Sequence, residues 1–193
     1  MTCEKVHEID LSGSSVILKP LSISEVSSLN RMYFSGKKDV KRDFHPIFFN
    51  TRCLPLFVFS QFILMVNTFS TIRNVSSIIF PFLSMYSMVG LDDHKSVISF
   101  CFVRLGGMPF GRKRFASSFG ILVARNCQGK GLGSKMLGHM VDWARRNNLT
   151  EVRLRVFGDN RTAINLYRKF GFRFLNALKE FRGSREYRMV LKL

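Results

Sequence analysis

The sequence lacks the features of a secreted, a metal-binding or a membrane-spanning protein. Its four cysteines are widely separated and form no Cys-x-x-Cys pair or Cys/His cluster, so we expect no metal site. The N-terminal residues show no basic start followed by an apolar run, which a secretory signal requires. Scattered cysteines and the lack of a signal favour a reducing, cytoplasmic setting.

Long uninterrupted apolar runs are also missing. Between residues 54 and 91 the only charge is Arg73, but serine, threonine, asparagine and glutamine break the stretch repeatedly. A membrane span needs about 18 apolar residues, so we predict no span. We instead expect one domain, 1–193, with an apolar helical insert at about 54–90. That insert would form buried helices, a wall of an acceptor site or a homodimer interface.

Acidic residues are scarce, and the charge is unevenly spread. The net charge is +17, and residues 106–193 hold 19 Lys and Arg against 5 Asp and Glu. Nucleic acid, an anionic membrane and a phosphorylated cofactor are each compatible with such a surface, as is simple solvation. Aromatic residues do not alternate with basic ones, which argues against nucleic acid as a partner.

Hydrophobic periodicity predicts a mixed sheet with helices packed on it. A helix start is expected at Ser22, and a second helix from Leu132 to about Asn147 has one apolar face. A third, short helix begins at Asp159 or Asn160 and ends at Gly171. Strands are predicted at 15–20, 88–91, 97–103, 115–123, 151–156, 172–175 and 187–193. This is an α/β arrangement of the α+β type.

A glycine-rich loop joins the strand 115–123 to the second helix. Its sequence is Gln128-Gly129-Lys130-Gly131-Leu132-Gly133. Glycines let the backbone approach a phosphate closely, and the helix N-terminus adds partial positive charge. The dinucleotide fingerprint fails at its third glycine, and no Gly-Lys-Ser/Thr triplet forms a nucleotide P-loop. A turn without a ligand is the remaining alternative from the loop alone.

Several motifs in a fixed order carry a resemblance to a known family. Residues 119–172 resemble the acetyl-CoA-binding core of the GNAT superfamily of N-acetyltransferases. The similar segments are Gly120-Ile121-Leu122-Val123, Gln128-x-x-Gly131-x-Gly133 with its helix, Asn160-x-x-Ala163-x-x-Leu166-Tyr167, and Gly171-Phe172. Residues 35–90 are not covered by the resemblance.

The resemblance implies a GNAT fold, in which two parallel central strands splay apart, and acetyl-CoA as cosubstrate. It places the pantetheine arm against the backbone of Ile121, Leu122 and Val123, with Asn160 bonded to the arm. The pyrophosphate would lie on the N–H groups of residues 129–134. The cofactor-binding residues implied there are Gln128, Gly129, Lys130, Gly131, Leu132, Gly133 and Ser134.

The resemblance also implies a catalytic role for one residue and leaves another role open. Tyr167 matches the tyrosine that protonates the departing thiolate. Family members that modify protein N-termini often carry a glutamate where this chain has Arg155. The general base is therefore a water relay or a residue such as Asp43 or His45.

The expected function is N-acetyl transfer from acetyl-CoA to a primary amine of a small molecule or a peptide. Two alternatives remain at this point. One is a GNAT domain that senses acyl-CoA without catalysis, and the other is a basic nucleic-acid-binding protein.

Overall fold

The structure, a computed structural model, describes residues 7–11, 14–35, 85–106, 115–181 and 184–193. Within these ranges, eight strands form one sheet in the order β1-β2-β3-β4-β5-β6-β8-β7. All neighbouring strands are antiparallel except β5 and β6, which are parallel. The strands are β1 (His7–Leu11), β2 (Ser14–Pro20), β3 (Met85–Leu91), β4 (Val97–Gly106), β5 (Phe115–Val123), β6 (Glu151–Phe157), β7 (Arg173–Phe181) and β8 (Ser184–Lys192).

Three α-helices in the described ranges pack on the two faces of this sheet. They are α1 (Val26–Ser35), α2 (Leu132–Arg146) and α3 (Arg161–Lys169). We call the face covered by α1 the α1 face, and the face covered by α2 and α3 the α2 face. Within the described ranges, no helix is long and apolar enough to cross a membrane.

Each face of the sheet has its own buried core. On the α1 face, Leu29 packs with Phe100, Phe102 and Leu122. On the α2 face the larger core joins the helices to the strands, and Trp143 stacks on Tyr86 with ring centroids 4.4 Å apart. The buried residues of α2 are Leu132, Met136, Leu137, Met140, Val141, Trp143 and Ala144. Burial of this stripe stabilises the helix whose first turn reaches the glycine loop.

The start of α1 uses the capping pattern visible in the sequence. The backbone N–H of Ser22 donates to the Glu25 carboxylate at 3.0 Å, and Lys19 Nζ donates to the same carboxylate at 2.9 Å. Burial by itself raises the pKa of Glu25, but hydrogen bonds from Ser22, Ser24 and Lys19 outweigh it and lower the pKa to about 2. The ionised carboxylate thus fixes the entry into α1.

Most sequence-based predictions of elements are confirmed. Strand β5 and helix α2 lie where the hydrophobic pattern placed them, and Gly171 ends α3 with φ of 86°. Strand β1 was not predicted. The proposed apolar insert at about 54–90 falls outside the described residues up to position 84, and its last residues lie in strand β3.

Candidate functional site

Strands β5 and β6 meet at one end and separate toward the other. Within these two strands the structure pairs a single position, Ala116 with Val152. On its outer side, β5 pairs with β4 at every residue except Ser117, where the register shifts, and β6 pairs with β8 along its whole length. The inner edges beyond Ala116 and Val152 therefore leave a slot bordered by unpaired backbone N–H and C=O groups. Such an edge can pair with an added extended chain.

The hydrogen-bond alternation of β5 decides which backbone groups face the slot. The Ala124 N–H donates to the Ile98 carbonyl oxygen on β4 at 2.8 Å. Groups alternate along an antiparallel pair, so Leu122 directs its N–H and C=O toward β4, whereas Ile121 and Val123 direct theirs toward β6. Of the three residues predicted to contact a cofactor arm, two present backbone groups to the slot.

The side chain of Gln128 ties the glycine loop to the end of β5. Its Nε2 donates to the Val123 carbonyl oxygen at 3.0 Å. The connection between them is a single 3-10 turn, Arg125–Cys127. The loop is thus held directly beside the open end of the slot.

The loop itself requires glycine at two positions. Gly129 and Gly131 have φ of 78° and 83°, and no atom lies within 4 Å of a Cβ built on either. Both residues are exposed, as is Lys130. The backbone here is open to solvent and curved, which allows several N–H groups to converge on an anion.

Helix α2 begins at this loop without a side-chain cap. Its N-cap is Gly131, and no side chain among the described residues accepts from its first turn. Leu132 is buried and anchors the turn, and a Cβ on Gly133 would lie 3.6 Å from Leu166 of α3 and 3.9 Å from Val123. Ser134 is half-buried in the same turn. The first N–H groups and the positive end of the helix dipole are therefore presented to the loop.

Asn160 lies just after β6, the strand on the other side of the slot from β5. It is the N-cap of α3, and its Oδ1 accepts from the Ala163 N–H at 3.1 Å. Its own N–H donates to the Phe157 carbonyl oxygen at 3.1 Å. Because the side-chain oxygen serves the cap, a contact to a ligand would come from the amide nitrogen.

Tyr167 lies on α3 and is buried in the α2-face core. Its ring meets Phe119 of β5 edge-on at 6.2 Å and lies 5.6 Å from the Phe172 ring, centroid to centroid. Burial raises the pKa of the Tyr167 hydroxyl above its ordinary value. The hydroxyl is therefore a protonated group at neutral pH and can act as a donor.

Other residues singled out in the sequence are placed differently. Arg155 is on β6, exposed on the α1 face, and Asp43 and His45 lie outside the described residues. Sequence reasoning missed Phe119, whose ring supports Tyr167, and Arg188, which lies opposite Arg155. The signal available for Arg188 was the alternation along the strand of Glu186 and Arg188 with Tyr187 and the buried Met189. In the described part of the chain, no group of three or more His, Cys, Asp or Glu could hold a metal ion.

The mixed sheet with three helices in the described ranges has the GNAT fold, which is of the α/β class. Residues 80–172 match the model of the acetyltransferase (GNAT) family, so this part of the chain is a GNAT acetyltransferase domain. The members of the GNAT family are acyltransferases, and they use acetyl-CoA.

A curated relative shares part of this region. It is the mycothiol acetyltransferase of Renibacterium salmoninarum, 26% identical over 85 residues. The matched stretch is 44% of this chain and 25% of that protein, so it spans a quarter of the relative's length.

Solved structures resemble the whole chain. The ribosomal-protein-S5-alanine acetyltransferase from Vibrio fischeri has a TM-score of 0.72 at 12% identity, covering 98% of this chain and 97% of its own. RimJ from Mycobacterium smegmatis, in complex with CoA-disulfide, has a TM-score of 0.70 at 16% identity and covers 99% and 88%. At these identities the likeness establishes the fold.

Proposed function

We propose that this protein transfers an acetyl group from acetyl-CoA to a primary amine, by direct attack within a ternary complex. The acceptor is a small molecule or the amine of a peptide. The observation that carries the proposal is the slot between β5 and β6, which ends at an uncapped helix N-terminus. An amide-containing arm that ends in a pyrophosphate complements both features at once.

The pantetheine arm is proposed to lie along β5 in place of a missing strand. The backbone of Ile121 would bond its amides, and the Val123 N–H would face the thioester at its end. The backbone groups of Leu122 point to β4, so Leu122 would contact the arm without a backbone hydrogen bond. The Asn160 amide nitrogen would donate to the arm from the β6 side. The thioester end of the arm would then lie near the ring contact between Tyr167 and Phe119.

The pyrophosphate is proposed to lie on the N–H groups of residues 129–134. Gly129 and Gly131 give the loop its left-handed turns, and Gly133 lets the helix start pack closely on Val123. Lys130 and Arg125, both exposed beside the loop, add positive charge. The loop backbone and these two side chains would thus bind a doubly charged group.

The chemistry follows from the groups around the slot. The ammonium group of the acceptor first loses a proton to water, since a lysine-type amine has a pKa of about 10.4. The neutral nitrogen attacks the thioester carbon, a C–N bond forms, and the Val123 N–H stabilises the oxyanion. The C–S bond then breaks, the nitrogen releases its second proton, and the Tyr167 hydroxyl protonates the thiolate of CoA. Solvent reprotonates Tyr167.

An amine screen tests the proposal. Purified protein is incubated with acetyl-CoA and polyamines, amino acids, aminoglycosides or short peptides, and both CoA thiol release and acetylated amine are measured. We expect amine-dependent thiol release and a product heavier by one acetyl group. Stabilisation by acetyl-CoA with no acetylated product for any amine would support the sensing alternative. A steeply salt-dependent affinity for RNA or DNA without such stabilisation would support the nucleic-acid alternative.

A further inference from the structure

Two arginines lie directly opposite each other on the α1 face of the sheet, away from the glycine loop. Arg155 on β6 pairs in register with Arg188 on β8. Their chain neighbours Leu154 and Met189 are buried in the α2-face core, so both arginines point to the α1 face. Side chains at directly opposite positions have Cβ atoms about 5 Å apart.

This pairing is unfavourable unless another group compensates for it. Like charges directly opposite on adjacent strands repel each other. Among the described residues, Arg155 forms an ion pair with Glu186 at 3.6 Å, and its side chain is 63% exposed. Within the described residues Arg188 has no ion-pair partner. One carboxylate thus faces two guanidinium groups, and an anion from outside the chain would balance the second.

The surrounding strands keep the same sign of charge. On the α1 face of β6, β7 and β8, the described side chains include five basic and two acidic residues: Arg153, Arg155, Arg173, Arg188 and Lys192 against Glu151 and Glu186. Arg153 is already engaged, since it pairs with Glu151 and lies 4.6 Å over the Phe115 ring. The other four basic residues share one carboxylate, Glu186, and two of them, Arg155 and Arg188, lie directly opposite each other.

The position of this pair separates it from the cofactor phosphates. Helix α2 and its N-terminal turn cover the α2 face, whereas Arg155 and Arg188 lie on the α1 face. Arg155 is three residues beyond Val152, where β5 and β6 have already separated, so it stands beside the open slot. An acceptor that reaches the thioester from the α1 face would pass these guanidinium groups.

We propose that Arg155 and Arg188 form an anion subsite for the acceptor, so that the amine substrate carries a carboxylate or a phosphate. The inference rests on the proposed function, because it names the substrate class of the same site. Two guanidinium groups can hold one such oxyanion with several charge-assisted hydrogen bonds.

The first test compares matched amines that differ only in the anionic group. The pairs are β-alanine with β-alaninamide and phosphoethanolamine with ethanolamine, assayed in wild type, Arg188→Gln and the control Arg145→Gln. Arg145 is an exposed arginine at the end of α2, paired with Asp142 at 3.3 Å. We expect kcat/KM for the anionic member to exceed that of its neutral partner about tenfold, mainly through KM. The ratio should fall toward one in Arg188→Gln and persist in Arg145→Gln. The pair with the larger ratio of kcat/KM shows whether the subsite prefers a carboxylate or a phosphate.

A binding measurement keeps the subsite testable even if none of these amines is acetylated. Inorganic phosphate is titrated into protein saturated with CoA, and the shift in melting temperature is followed. We expect a phosphate-dependent rise in wild type and Arg145→Gln that is lost in Arg188→Gln and in Arg155→Gln/Arg188→Gln. An equal rise in every variant would overturn the subsite, as would equal turnover of charged and neutral amines. Loss of the phosphate effect without turnover of any amine would support the subsite and count against the proposed function.

Discussion

The side-chain amide of Gln128 donates a 3.0 Å hydrogen bond to the backbone carbonyl oxygen of Val123. This bond joins the first residue of the glycine loop to the last residue of the open strand β5. The Val123 carbonyl is available for it because the backbone groups of Val123 point away from β4. This bond therefore holds the two proposed cofactor-binding features, the slot and the loop, in a fixed position relative to each other.

Gln128→Ala should weaken acetyl-CoA binding with little change in stability. The side chain is exposed and contributes little buried area, but its hydrogen bond positions the loop. We expect a rise in the Kd of acetyl-CoA of about threefold to tenfold, by calorimetric titration, for loss of one such bond. Asn126→Ala, a change of a neighbouring exposed amide, is the control. An unchanged Kd in Gln128→Ala would show that the loop does not need this tie.

Gly131→Ala should destabilise the helix start, whereas Gly138→Ala should not. Gly131 has φ of 83°, so an added Cβ costs about 1 kcal/mol in the free energy of unfolding although space is open around it. Gly138 lies within α2, and its Cβ would contact the Phe170 ring at an ordinary 3.6 Å. Alanine there should stabilise by about 0.5 kcal/mol through helix propensity. Denaturant unfolding of both variants gives the comparison, and equal effects would contradict it.

Two substitutions of Asn160 separate its cap from its proposed contact with the cofactor. Asn160→Ala removes the oxygen that accepts from Ala163 and should cost about 1 kcal/mol of stability. Asn160→Asp keeps an oxygen there and adds charge favourable to the helix N-terminus, so stability should be retained. Both variants lose the amide donor and should bind acetyl-CoA more weakly. Wild-type affinity in Asn160→Asp would mean that the residue serves only the helix.

Tyr167→Phe should lower turnover more than cofactor binding. The ring contacts with Phe119 and Phe172 remain, while the proton donor for the thiolate is lost. We expect kcat to fall about tenfold or more, with the Kd of acetyl-CoA within about twofold of wild type. Because burial raises the pKa of this hydroxyl, wild-type kcat should not decline between pH 7 and 9 through its ionisation. Unchanged turnover in the variant would refute the role.

Acid stability should depend on Glu25. Its pKa falls from 4.5 to about 2 on folding, so its ionised form stabilises the native state above the unfolded pKa. That contribution is lost as the pH falls from about 4.5 toward about 2. Glu25→Gln should flatten the stability curve in this window, measured by urea unfolding. Asp93→Asn, in the exposed turn between β3 and β4, is the charge-matched control.

The sequence predicted local features well because their signals are local. Helix α2 shows its buried stripe over fifteen residues, and Gly171 stands where a left-handed residue ends a helix. Strand β1 carries the polar sequence His7–Leu11 at the sheet edge, where only Ile9 is described as buried, so its pattern was too weak to recognise.

Long-range pairing explains what the sequence could not show. Arg155 and Arg188 lie on strands that a helix and another strand separate in the sequence. The register that places them opposite each other cannot be predicted from either strand alone. The direction of the Leu122 backbone groups toward β4, and of the Val123 backbone groups toward the slot, likewise depends on pairing with β4. The resemblance placed all three residues Ile121, Leu122 and Val123 at the cofactor, and the pairing distinguishes among them.

Amide hydrogen exchange along β5 tests the central claim most directly. In the free protein, the Leu122 N–H is already bonded to β4, while the N–H groups of Ile121 and Val123 face the open slot. If acetyl-CoA completes the sheet, its addition should slow exchange at Ile121 and Val123, and in the glycine loop at residues 129–134, with a much smaller change at Leu122. Unchanged exchange at Ile121 and Val123 under saturating acetyl-CoA would contradict the account.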